Sequence, residues 1–172
     1  WRWQTFGGNR MLELTATGWA HTAFSLVSLA SGIWLIARHG EIRPDLPLGR
    51  LFLGATALTA LAALAIYQRG GFGPGHVLAI LAIGAIGFGL VVGRGAQAGS
   101  WRHVLSALAF SFTLLCQLIP GATETLTRFP LGNPLIASVR SPELQPVFLS
   151  LVAAFVLLAL YQTVRLRAVR QG

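Results

Sequence analysis

Apolar residues in this chain run on for about twenty positions at a time, interrupted by short polar, glycine- and proline-rich junctions. A strand would alternate with period two, whereas a helix crossing a hydrocarbon core of ~30 Å takes about twenty residues. Five stretches meet that length: 15–37, 49–68, 74–93, 101–119 and 146–166. The pattern predicts an all-α integral membrane protein, with residues 1–172 forming one transmembrane domain. The first three junctions, "RHGEIRPDLPL", "QRGGFG" and "RGAQAGS", are short enough to force antiparallel neighbours. An antiparallel four-helix bundle plus a fifth transmembrane helix follows. Residues 120–145 hold four prolines and mixed polarity. They are expected to lie along the interface with a short helix near "ATETLTRF", bringing Glu124 and Arg128 over the mouth of the bundle as a lid.

Inside the spans the polar positions are periodic. Gly18, His21, Ser25, Ser28 and Gly32 share one face of the first helix, and His103, Ser106, Phe110, Thr113 and Gln117 share one face of the fourth. These stripes should face inward. Ala85, Gly89 and Gly93 recur every four residues along the third helix, a face that another backbone can approach closely. Hydroxyls on such faces read first as interhelical glue, worth about 0.6 to 2 kcal/mol each. Histidine is different, because an ionisable ring inside a membrane is a functional hypothesis by default. His21 lies ~9 Å along the first helix and His76 ~3 to 5 Å into the third, at 1.5 Å per residue. The two rings therefore share one leaflet, joined there by Gln117 and Tyr67. His103 opens the fourth helix at the opposite face, a possible second site, and His39 sits in a loop.

Composition and charge fit this picture. Hydrophobic residues make up 54% and charged residues 10%, far from the roughly one-quarter charged share of soluble domains. All thirteen basic residues are arginine, against five carboxylates, for a net charge of +8. Because the arginines are scattered through short loops, they read as topology signals meeting anionic lipid and not as a nucleic-acid surface. Eight fall on the C-terminal side of the predicted topology and five on the N-terminal side. The expected orientation is N-terminus outside and C-terminus cytoplasmic. No basic leader with an apolar core and cleavage site is read before the first span. Cys116 excludes an internal disulfide and reads as a small apolar residue.

Four segments also resemble, in order and spacing, a bacterial family of multi-helix membrane proteins of unknown function. They are "AHTAFSLVSLASG" (20–32), "LGRLFLGATALTALAAL" (48–64), "GFGPGHVLAILAI" (71–83) and "WRHVLSALAFSFTLLCQLIPG" (101–121). The resemblance implies a bacterial inner-membrane location and points to His21, His76 and His103, the histidines of the family pattern. The chain departs from that pattern before "LGR", where Asp45 and Leu46 stand near the position of an expected histidine.

Three function classes follow. The first is a redox or electron-transfer protein holding haem b, a quinone or a metal ion, with His21 and His76 as ligands and Gln117 and Tyr67 beside them. The second is an accessory subunit docking by its small-residue faces on other membrane subunits or on a second copy. The third is a small-solute or proton pathway along the polar axis, for which intramembrane carboxylates are scarce. No GxSxG or HExxH motif supports hydrolysis.

Overall fold

The computed structural model describes residues 16–65, 71–130 and 133–168. Five helices account for most of them: α1 (Ala16–His39), α2 (Pro47–Leu64), α3 (Pro74–Gly93), α4 (Trp101–Arg128) and α5 (Leu144–Ala168). All five are long and apolar enough to cross a membrane, and no strand occurs among the described residues. The protein is an all-α membrane bundle.

Local chemistry sets the helix ends. Pro47 and Pro74 occupy first turns, where a missing N–H costs nothing. Ser100 caps α4, its hydroxyl accepting from the His103 N–H at 3.3 Å. Gly40 closes α1 at a φ of 75°, and its N–H donates to the Ile36 carbonyl at 2.7 Å.

α1 packs on α2, α2 on α3 and α3 on α4, while a narrower contact between α1 and α4 closes the bundle. α5 lies outside against α4. Leu35, Ile42, Phe52, Leu53, Phe110 and Leu114 form the largest buried cluster. Small residues let the backbones close around it: a Cβ on Gly32 would sit 2.6 Å from the Phe52 ring, and one on Gly89 would sit 2.5 Å from Phe110. The stripe around Gly89 and Gly93 is therefore where α4 docks, and the Ser106 hydroxyl bonds the Gly89 carbonyl at 2.8 Å.

α4 is longer than the sequence pattern suggests. Instead of ending at Ile119 it runs through Pro120 to Arg128, absorbing the predicted short helix. Proline removes one backbone bond, but a helix gripped by α1, α3 and α5 keeps its course, and transmembrane helices tolerate the loss. The helix stops instead at Phe129, which is extended ahead of Pro130 as a residue before proline prefers. Beyond it the chain doubles back, the Ile136 N–H donating to the Leu126 carbonyl at 2.9 Å and Leu135 to Phe129 at 3.2 Å. Leu126 and Ile136 are half-buried there, whereas Phe129 and Leu135 stay exposed.

Most of α5 faces outward, with Leu149, Val152, Val156, Leu157, Leu160 and Val164 exposed. Its last third is fastened by polar groups. Gln162 is fully buried, donating to the Gly40 carbonyl at 2.8 Å and accepting from the Ser111 hydroxyl at 3.0 Å. Arg165 donates to the His39 carbonyl at 2.6 Å, and Arg167 lies 4.5 Å over the Trp101 ring. Arg102 bonds the Val92 and Arg94 carbonyls at 3.1 and 2.9 Å. Guanidinium groups thus neutralise the carbonyl ends of α1 and α3.

Candidate ligand site in the bundle core

The inward stripes of α1 and α4 meet two threonines of α2. Ser28, Thr56, Thr59 and Gln117 are buried, Gln117 being 6% and Thr59 4% exposed. Thr56 donates its proton to the Phe52 carbonyl at 2.7 Å, as helical threonines do. Ser28 and Thr56 lie 2.6 Å apart, and the Gln117 amide nitrogen is 3.0 Å from Ser28 and 3.3 Å from Thr56. A hydroxyl has one proton to give. Thr56 has given its own to Phe52, so Ser28 donates to Thr56. Both oxygens then offer Gln117 only lone pairs, and its NH₂ faces them, with the Thr113 carbonyl also accepting from it at 3.4 Å.

That assignment leaves two buried atoms with no hydrogen-bond partner, the Gln117 Oε1 and the Thr59 Oγ1. Each such group costs about 1 to 3 kcal/mol when left dry, so native structures rarely keep them. Thr59 lies one turn from Thr56 on α2, within reach of the same neighbourhood.

His21 bonds the α2 backbone beside this cluster. Its Nδ1 lies 3.0 Å from the Thr59 carbonyl, which can only accept, so the ring carries its proton on Nδ1. In the neutral ring Nε2 then holds a lone pair, the arrangement by which a carbonyl orients an imidazole for a ligand.

The other two candidate histidines are helix-start residues. His76 is buried at 7% exposure as the third residue of α3; its Nδ1 accepts from the Gly73 N–H at 3.2 Å, and its ring stacks on Phe72 at 5.3 Å. His103 holds the same position in α4, its Nδ1 accepting from the Gly99 N–H at 3.3 Å. In both rings the proton is thereby placed on Nε2. His103 uses it to donate to Glu41 Oε2 at 2.9 Å, joining the α1–α2 loop to α4. Glu41→Ala is expected to lower stability by about 1 to 2 kcal/mol, read by thermal unfolding in detergent, with Glu41→Gln recovering part of the loss.

His21 and His76 differ in what their rings meet: His76 has its Nδ1 engaged by the Gly73 N–H at its own helix start, whereas His21 reaches the Thr59 carbonyl of another helix. Ala60, Ala79, Ala82 and Cys116 close-pack α2, α3 and α4. Among the described residues no group of three or more His, Cys, Asp or Glu is placed to hold a metal ion. Tyr67 lies outside the described residues. Glu124 and Arg128 are not on a separate interfacial segment: they form an ion pair one turn apart on α4 itself.

Sequence reading passed over Thr56 and Thr59. The available signal was that they are the only hydroxyls on α2, three residues apart on an otherwise apolar helix. Glu41 was missed as well, since its partner is remote in sequence. In the same loop the Arg43 guanidinium, bonded to Asp45 at 2.6 Å, holds that carboxyl below the usual carboxylate range. The pair's effect is present above the ordinary aspartate pKa and fades as pH falls through the lowered one; exposure keeps it small.

Two apolar grooves flank α5. One, about 550 Å³, runs between α3, α4 and α5 past Phe88 and Phe155. The other, about 300 Å³, is lined by Ile33, Ile36, Leu114, Leu118 and Leu151 among others. Leu114 belongs both to this second groove and to the core cluster around Phe52. Comparison of the chain with protein families, with curated proteins and with solved structures finds no match.

Proposed function

We propose that this integral membrane protein binds the head group of a lipid-soluble carrier of the quinone type in the bundle core, between His21, Thr59 and Gln117. The observation that carries this reading is the unpartnered Gln117 carboxamide oxygen, nine-tenths buried, one helix away from the equally unpartnered Thr59 hydroxyl. A polar head entering the core would bond Gln117 and the Thr59 hydroxyl, with the carbonyl-anchored His21 beside them. The apolar groove along α1, α4 and α5 would suit a hydrocarbon tail, and its Leu118 is the next residue along α4 from Gln117. A single buried water could satisfy the same two atoms but would have no use for an oriented imidazole.

The test is equilibrium binding of a short-chain benzoquinone couple, oxidised and reduced, to the protein in nanodiscs, with empty nanodiscs as reference. Wild type is expected to bind above simple partition, and Gln117→Leu to weaken binding about tenfold or more. No binding of either form beyond the empty-disc reference would end the reading.

The orientation is part of the same proposal: the face holding Arg38, Arg43, Arg50, Arg94, Arg102, Arg165 and Arg167 is cytoplasmic, in a bacterial inner membrane. Single cysteines at Gln97 and Asn133 in a Cys116→Ser background should differ in labelling of intact cells. Asn133 should react with an impermeant reagent and Gln97 should not; the reverse result inverts the topology.

A further inference from the structure

We propose that the core site selects its ligand in the hydroxyl-bearing, reduced form, taking a quinol in preference to the corresponding quinone. This rests on the ligand reading above and follows from where the protons are. The chain from Ser28 to Thr56 to the Phe52 carbonyl consumes both hydroxyl protons, so the Gln117 NH₂ is turned to Ser28 and Thr56. The amide therefore shows its oxygen, a pure acceptor, to whatever enters. His21 gives its Nδ1 proton to the Thr59 carbonyl, so the neutral ring also presents an acceptor. Thr59 Oγ1 is the one group there able to give or take.

A quinone oxygen only accepts. It could take the Thr59 proton but would set its lone pairs against those of Gln117 and His21. A quinol hydroxyl donates to Gln117 Oε1 or His21 Nε2 while accepting from Thr59. The two forms share a ring and tail, so the apolar contacts cancel in the comparison and the hydrogen-bond complement decides.

Thr56 is a positioning residue in this scheme, and it makes a distinctive test. In Thr56→Val the Ser28 hydroxyl loses its acceptor and is free to donate to the amide oxygen, so only the Thr113 carbonyl, at 3.4 Å, still holds the amide nitrogen and the Gln117 carboxamide is no longer fixed in one orientation. In Ser28→Ala, Thr56 still keeps its proton on Phe52 and still holds the amide nitrogen, so the orientation is unchanged.

The experiment is anaerobic equilibrium binding, in nanodiscs, of a short-chain hydroquinone, its benzoquinone and the hydroquinone dimethyl ether, which keeps the shape and lacks donors. Wild type and Ser28→Ala are expected to bind the hydroquinone about tenfold or more tighter than either other compound. Thr56→Val is expected to narrow that preference to about threefold or less while binding at least one form. Equal or tighter binding of the quinone by wild type overturns the inference and leaves the ligand reading standing. An unchanged preference in folded Thr56→Val overturns the proton chain as its cause. Should no compound bind wild type beyond the empty-disc reference, the ligand reading itself fails, and this inference with it.

Discussion

Gly89→Leu is expected to destabilise the bundle by about 3 kcal/mol, at the upper end of overpacking costs. The first atom of the new side chain would lie 2.5 Å from Phe110, which is fully buried and held by Phe52 and Leu114, so neither ring nor helix can give way cheaply. Separating α3 from α4 also strains the Ser106 bond to the Gly89 carbonyl. Gly84→Leu and Gly87→Leu on the same helix are the controls, because a Cβ at either meets nothing within 4 Å. Unfolding in mixed micelles should lose most of its stability for Gly89→Leu and stay near wild type for the other two. Equal effects at all three positions would mean that helix propensity, not packing on Phe110, governs the result.

Gln162→Leu is expected to cost about 2 to 3 kcal/mol and to loosen α5 from the bundle. Its carboxamide is the fully buried link between the Gly40 carbonyl and the Ser111 hydroxyl, and leucine can replace the volume but neither bond. Ser111 can turn to its own helix backbone; the Gly40 carbonyl has no comparable choice. The positive φ of Gly40 and the Arg165 guanidinium packed where its Cβ would stand make this corner specific to glycine. Hydrogen exchange of the 159–168 amides should accelerate in the variant while that of α2 and α3 stays close to wild type. Unchanged α5 exchange would show that the arginine bonds to His39 and Gly99 suffice to fasten it.

The helices were legible because twenty apolar residues in a row have few other uses, and the inward faces because Ser28, Gly32, Ser106, Phe110, Thr113 and Gln117 recur at helical spacing and are buried. The end of α4 was not. Pro120 reads as a stop in isolation, yet α4, packed on α1, α3 and α5, runs on to Arg128. His21 and His76 look equivalent in sequence, yet one ring bonds a carbonyl of another helix and the other accepts an N–H at its own helix start. Depth along a helix can be counted from sequence, whereas the tautomer depends on which backbone group a ring meets. The same holds for Gln117: its place on the inward face was readable, but the direction of its amide depends on Thr56 and on the Phe52 carbonyl, two links away.

Photolabelling with an azido-substituted short-chain quinol, followed by peptide mapping, tests the core site most directly. Label is predicted on α1 between His21 and Ser28, on α2 at Thr56 to Thr59 and on α4 around Gln117, competed by unmodified quinol and lost in Gln117→Leu. Label confined to Phe88, Phe155 and their neighbours in the groove beside α5, unaffected by competitor or by Gln117→Leu, would contradict a ligand in the core.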